Sequence, residues 1–550
     1  MDMHISPATP MAPPKTAQHP RWLLDLAEWR IVPYIDVPRS ILDSEGFGTF
    51  SCAWGRSLGY DHSAAEGRPE DLLPGNAIMT GWSLARAQEA MRRNIVTRYV
   101  WWDMLCVPHG PYLDRELEQV RREEIRKQVS LYKDAKTSFI WLHSVSWVEE
   151  SSSALKELPL LGISRSAYEE DLEVIETQVA TVKTWIGEAK PSERRLMFNC
   201  WTLLRDASLI DRDGDKLLED RFCNGSHASV RDIATPILDL TDKLATAYFI
   251  HVEGPHDLDP TRPSGTRLER FMSRDPEAVT SLRRSIKILV ESGLAGSVDE
   301  SPLYILAGWK TRGYVSKEDS RSALIGALEL ENLGLCSEEE TSEEIERRFL
   351  TALIEKFQWA MLLLPFPECR IQARREDGEE DLHGRDWKWT DIVDGALLPI
   401  NVFRATVESP PNKLQYCGLP VLSFSHDDDA LHITAPAGQK MELIRSSSEE
   451  ITYFRHYRQD NDGLRIVSPQ EVAFGDDPLL AGTWFLPLWD VDVKGGVCGK
   501  RCLLLMLFND EIVEEGFTRA VFGGMIDVWG LGDDSAVVRE LVVYTWGAEN

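Results

Sequence analysis

Apolar residues in the first third of the chain form three short unbroken runs, Gly48 to Ala53, Tyr99 to Val107 and Ser138 to Leu142. Runs this continuous do not alternate like half-exposed strands; they predict strands buried on both faces of a parallel sheet. Helical patterns separate them. Leu84, Ala87, Gln88 and Met91 share one face of a helix over Trp82 to Arg93, and Leu117, Val120, Leu131 and Tyr132 recur at helical spacing between Asp114 and Asp134. Strand, helix, strand, helix, strand is the order of an open α/β sheet. It predicts Phe50, Val100, Trp101, Ile140 and Trp141 in adjacent strands of one mostly parallel sheet, with Trp54 and Asp103 toward the same end.

From 151 to 365 the periodicity turns helical. Leu172, Ile175, Val179, Val182 and Ile186 lie on one stripe, and Thr341 with Glu344 makes a capping-box pattern ahead of Ile345, Phe349, Leu353 and Phe357. A charged stretch, Arg374 to Asp381, reads as a solvated loop. Strand candidates follow at Leu419 to Phe424, Met441 to Ile444, Trp484 to Val493, Cys502 to Phe508 and Leu541 to Trp546. The organisation expected is a multidomain α/β protein: a tail over 1–24, a parallel-sheet α/β domain over 25–150, an α-helical middle region over 151–365, a charged linker or loop over 366–400 and a β-rich C-terminal region over 401–550.

The 550 residues carry a formal net charge of −29, which repels phosphate backbones and anionic lipid, and no long Lys/Arg run offsets it, so nucleic-acid binding is not expected. Met1 to Pro20 has neither a basic nor an apolar region of a signal peptide. No apolar stretch approaches the length of a membrane span. A cytoplasmic protein is the expectation. The nine cysteines are mostly far apart and read as reduced core residues; Cys498 and Cys502 are close but lack a second ligand pair, and no metal is expected.

Several motif readings fail on their surroundings. Gly46-Phe47-Gly48 precedes a strand instead of leaving one, which a dinucleotide loop requires. Gly499-Lys500 has neither the earlier Gly nor the following Ser/Thr of a phosphate loop. Asp211, Asp213 and Asp215 alternate as in a calcium loop, but Lys216 and Phe222 stand where Gly and Glu are needed, so an exposed turn is expected.

What remains is the carboxyl edge of the predicted parallel sheet, where ligands gather in open α/β folds. Ser51, Trp54 and Arg56 leave the first strand, and Asp103 is read in the second, after Trp102. On the following helix Glu124 falls between Leu117 and Val120 on the apolar face, with Glu116, Glu118 and Glu123 on its flanks. Such a carboxylate is paired, protonated or lines a pocket. Gln128, Arg121 and Lys127 are within reach as structural partners, and a functional role stands beside that reading. Trp54, Trp101 and Trp102 are open to both core and ligand-platform readings.

The blocks Trp29 to Tyr34, Gly46 to Arg56 and Arg98 to Pro108, followed by Glu123 to Gln128, Leu131-Tyr132 and Phe139 to His143, occur in an order that resembles the HET (heterokaryon incompatibility) domain of fungal self/non-self recognition proteins. Gly48-Thr49-Phe50-Ser51-Cys52-Ala53-Trp54-Gly55 is similar to its S-Y-x-W-G block, and Arg98-Tyr99-Val100-Trp101-Trp102-Asp103 to Cys106-Val107-Pro108 resembles its R-Y-x-W-x-D-x-x-C-I/V-P. The double Trp resembles the basidiomycete branch. Weaker likeness continues at Trp201-Thr202-Leu203 and from Lys317-Glu318-Asp319 to Gly326-Ala327-Leu328. Cys52, His109 and Leu204-Arg205 depart from the family's Tyr, Gln and Gln-Glu.

The resemblance implies a flavodoxin-like, TIR-like parallel sheet and a role in triggering programmed cell death. It also implies two mechanisms. In one, the domain cleaves NAD as a substrate, with Glu124, or else Glu123, as the catalytic carboxylate and Ser51, Trp54, Arg56, Trp102 and Asp103 binding the substrate. In the other, the domain is non-catalytic and signals by self-association or by binding a protein partner.

Overall fold

The computed structural model describes residues 19–52, 82–109, 113–148, 153–158, 172–188, 207–217, 228–253, 276–291, 317–330, 340–362, 419–445, 453–467, 483–493, 497–507 and 517–545, without positions 428 and 461 and with a few short pieces between these stretches. It is a mixed α/β structure. A sheet with a parallel centre lies near the N-terminus, helices follow, and a larger sheet occupies the C-terminal part.

The first sheet has six strands: β1 (Trp22–Asp25), β2 (Arg30–Pro33), β3 (Gly48–Cys52), β4 (Tyr99–Trp101), β5 (Thr137–Leu142) and β6 (Ser208–Asp211), in the order β2-β1-β4-β3-β5-β6. β4, β3, β5 and β6 are parallel, with Thr49 opposite Trp101 and Ser138, and Ser51 opposite Ile140. The five residues expected in adjacent parallel strands lie there. The outer pair is antiparallel: Leu24 of β1 faces Val100, and β1 turns directly into β2. Asp25 builds that turn, since its buried carboxylate accepts the Ala27 and Glu28 backbone N–H groups and the Arg98 guanidinium. The sheet therefore begins at Trp22, inside the stretch read as tail. It also recruits β6 from the stretch read as helical.

Helices α1 (Arg39–Glu45), α2 (Leu84–Asn94), α3 (Asp103–Cys106) and α4 (Arg115–Asp134) accompany this sheet. The run Tyr99 to Val107 is thus not one strand. β4 stops at Trp101, and Asp103, read as a strand residue, opens the one-turn helix α3. The reason is that Trp102, Met104, Leu105 and Cys106 are all buried, so the apolar run continues through a change of backbone that periodicity cannot register. Asp114 caps α4 by accepting the Leu117 N–H at 2.8 Å.

Beyond the sheet come α5 (Ser153–Glu157), α6 (Leu172–Glu188), α7 (Val230–Glu253), α8 (Pro276–Glu291), α9 (Lys317–Ala327) and α10 (Ser342–Phe357). α10 starts with a complete capping box between Thr341 and Glu344. The second sheet gathers β7 (Phe366–Pro367), β8 (Val421–Ser425), β9 (Ala430–Thr434), β10 (Met441–Arg445), β11 (Tyr453–Asp460), β12 (Gly463–Val467), β13 (Thr483–Val493), β14 (Val497–Leu507), β15 (Phe517–Trp529), β16 (Asp534–Val538) and β17 (Glu540–Tyr544). Its spine runs β16-β10-β13-β14-β15-β17-β9-β8. β15 divides its pairing: Phe517 to Val521 run parallel to β17, whereas Ile526 to Trp529 run antiparallel to β11. The switch sits at Gly523-Gly524. A Cβ on Gly523 would lie 3.0 Å from the Leu504 carbonyl oxygen, and Gly524 has φ +101°.

The helices fasten one sheet to the other through a continuous apolar core. Arg283 of α8 donates to the carbonyls of Leu464 and Gly463 and to the Asp460 carboxylate, gripping the β11–β12 turn, and the Tyr248 hydroxyl of α7 accepts the Ile466 N–H. No helix among the described residues is long and apolar enough to cross a membrane.

Candidate functional site

In the parallel part of the first sheet, the first strand, β3, lies between the second, β4, and the third, β5. The order reverses at β3, so the carboxyl ends of β3 and its neighbours are where open α/β sheets place a ligand crevice. Side chains alternate across the sheet. Thr49, Ser51 and Trp101 point toward α4: the Ser51 hydroxyl lies 2.7 Å from the Tyr132 hydroxyl, Thr49 donates to Ser138 at 2.8 Å, and the Trp101 and Tyr132 rings meet edge to face. Phe50, Cys52, Trp102 and Trp141 point to the other side.

That second side carries an aromatic cluster. Trp82, just ahead of α2, stacks on Trp102 with ring centroids 5.9 Å apart and meets Trp141 edge to face at 4.9 Å. His143, leaving β5, touches both Trp82 and Trp141. Trp102 is 0% exposed, so its ring is packed as core and presents no free face. Asp103 accepts the Met104 N–H at 2.8 Å and lies close enough to Cys52 for its charge to act there. Burial, aided by Asp103, pushes the Cys52 thiol well above its ordinary range against a hydrogen bond from Trp102; burial likewise pushes Cys106 up to about 12. Burial thus disfavours the thiolate at both positions.

Glu124 occupies the α4 side of the sheet and is 0% exposed. Its carboxylate takes the Lys127 ammonium at 2.6 Å and the Arg21 backbone N–H at 3.2 Å, with the Arg21 guanidinium 3.7 Å away. Burial raises its pKa, and the hydrogen bond and charge of Lys127, then those of Arg21, oppose the rise only in part. Glu123 binds the Arg21 guanidinium at 2.6 Å and accepts from Gln119. Lys127 also reaches the His19 carbonyl, and the His19 ring stacks on Tyr34. The segment 19–21, running into β1, is thus strapped across Glu123, Glu124 and Lys127.

The sequence-derived residues consequently divide. Ser51, Glu123 and Glu124 belong to the α4 side, Trp102 belongs to the opposite side, Asp103 stands at the start of α3, and Trp54 and Arg56 lie outside the described residues. Lys127, one of the structural partners considered for Glu124, is the one it takes; Arg21 had no signal because its approach depends on β1. Trp82 and His143 were also missed. His143 sits just past the last residue of a buried strand, which is a readable signal for a carboxyl-edge position.

Asp211 shows what the alternating aspartates do. Its Oδ1 accepts the Asp213 and Asp215 N–H groups and its Oδ2 the Trp147 N–H, which makes a turn stabilised by a buried carboxylate. Among the described residues no three His, Cys, Asp or Glu side chains converge as a metal-binding group. No family model, no curated protein and no solved structure matches the chain.

Proposed function

We propose that the chain is an incompatibility protein of the HET type, whose N-terminal TIR-like, flavodoxin-like unit triggers cell death inside the cell by self-association or by binding a protein partner. The strand order β4-β3-β5-β6 supports the flavodoxin-like reading, because it is the second-first-third-fourth order of that fold. The observation that carries the non-catalytic mechanism is the enclosure of Glu124. Both of its oxygens are engaged, by Lys127 and by the Arg21 backbone, on the side of the sheet away from the Trp82, Trp102, Trp141 and His143 cluster. A carboxylate that stabilises a ribosyl cation has to face the substrate.

NAD cleavage by Glu124 or Glu123 is the competing mechanism. Induced expression of the full chain in a fungal host, scored by colony survival, distinguishes the two. Glu124→Gln and Glu123→Gln are each expected to kill as efficiently as the wild type. Loss of killing by Glu124→Gln with a melting temperature no lower than that of the wild type would instead assign it a catalytic role.

A further inference from the structure

α4 has the composition of a solvent-facing helix, yet the described side chains along its middle are at most half-exposed. Of its 20 residues, 11 are charged, yet none of its described side chains between 120 and 132 is exposed. Polar, highly charged helices ordinarily keep one face in water.

The charges are not scattered. At 100° per residue, Arg115, Arg122, Arg126 and Lys133 fall within about 40° of one another, which makes a basic stripe along the helix. The stripe stands out on a chain of net charge −29. Over its C-terminal half lies α9. Gly326 brings the α9 backbone so close that a Cβ there would sit 2.5 Å from the Arg126 carbonyl oxygen. Arg126 donates to the Leu330 carbonyl, and Lys133 pairs with the Glu329 carboxylate at 2.7 Å. What α9 presents to the stripe is therefore negative: a helix C-terminus, where the dipole is negative, the Leu330 carbonyl and the Glu329 carboxylate.

α9 is held from behind by α10. Lys356 donates to the Leu328 and Glu329 carbonyls, both at 2.8 Å, and Arg321 reaches Glu346 while lying over the Phe349 ring. Lys356 and Arg321 thus tie α9 to α10, while α9 meets α4 through close backbone approach and opposite charge.

We propose that the basic stripe of α4 is a docking surface for an acidic segment of a protein partner, and that α9 is its intramolecular competitor, closing the surface until the partner displaces it. A protein is favoured over nucleic acid or lipid because the net negative charge of the chain opposes polyanions at long range while leaving a short acidic segment free to dock. That this surface transmits the death signal rests on the function proposed above; the exchange of occupants does not.

The probe is a synthetic peptide of residues 317–333, offered in trans to the full-length chain at low salt. Wild type should bind it at least tenfold more weakly than Gly326→Val, whose side chain lifts α9 from Arg126. Gly326→Val should also exchange the amides of α4 at least tenfold faster, while those of β5 and β14 stay as protected as in the wild type. Adding Arg126→Glu should remove peptide binding. Should Gly326→Val unfold the chain, Glu329→Lys breaks the exposed pair with Lys133 and is expected to change binding and exchange in the same direction. Equal binding by wild type, opened and Arg126→Glu chains overturns the proposal, as does tighter binding of a DNA oligonucleotide or of phosphatidylserine vesicles than of the peptide. Opened chains that bind the peptide but kill no cells leave the docking surface standing and sink the trigger function. Killing by the wild type without peptide binding by opened chains does the reverse.

Discussion

Two carboxylates in the first unit, Asp25 and Glu124, are both buried and both paired with cations, but they titrate in opposite directions. For Asp25 burial is outweighed by the Arg98 hydrogen bonds and the Glu28 and Ala27 backbone donors, so its pKa falls below 3.8. Its stabilising contribution is present above the unfolded value and is lost as pH drops through the folded one. Asp25→Asn should therefore cost about 1 to 2 kcal/mol at neutral pH, allowing for the solvent around Arg98, and the gap from wild type should close in acid. For Glu124 burial prevails and the folded pKa lies above 4.5. The folded chain then holds the proton more tightly than the unfolded one, so the contribution is full in acid and declines as pH rises through the folded value. Glu124→Gln, neutral at every pH, should gain on the wild type in melting temperature from pH 4.5 to neutrality. A constant difference between the two across that range would count against this reading. In the sequence, Glu124 was visible as an anomaly because helical spacing alone puts it on an apolar face. Its partner Arg21 was not, because only the pairing of β1 with β4 brings residue 21 to α4.

Elements with long, regular patterns were readable from sequence and short or interrupted ones were not. α4 and α10 begin where their capping residues place them, at Asp114 and Thr341. Thr341→Ala should lower stability by about 1 kcal/mol, seen as a drop in melting temperature, because the Glu344 N–H loses its acceptor. β1, β2 and β6 have four residues each, too few for a period to emerge. β11 and β12 were missed although Asp462, in the turn between them, and Gly463, which opens β12 with φ +107°, make a hairpin signal. β15 was missed because Gly523-Gly524 interrupts its apolar run, and that interruption is the point where it exchanges β17 for β11. Gly524→Ala forces a side chain into the left-handed region and should destabilise the second sheet by about 1 kcal/mol or more. An unchanged melting temperature in that variant would mean that the kink is not required for the division of partners.

Across the whole molecule, the broad order of α/β, helical and β-rich parts follows the change of periodicity along the chain, while the assembly of those parts does not. β6 crosses the boundary expected at residue 150 to complete the first sheet, α9 returns to cover α4, and α8 grips the β11–β12 turn. Each of these depends on contacts between residues far apart in sequence, which no local pattern records. The candidate site follows the same division: the residue types at the carboxyl edge were readable, but not their split between the two faces of the sheet. The central claim is that this first unit kills through association and not through consumption of NAD by Glu124. Its most direct test is a time course of cellular NAD and viability in fungal cells after induced expression of the wild-type chain. Viability should fall while NAD stays at the level of uninduced cells. A collapse of NAD that precedes death and is abolished by Glu124→Gln, or cells that grow unharmed, would contradict the account.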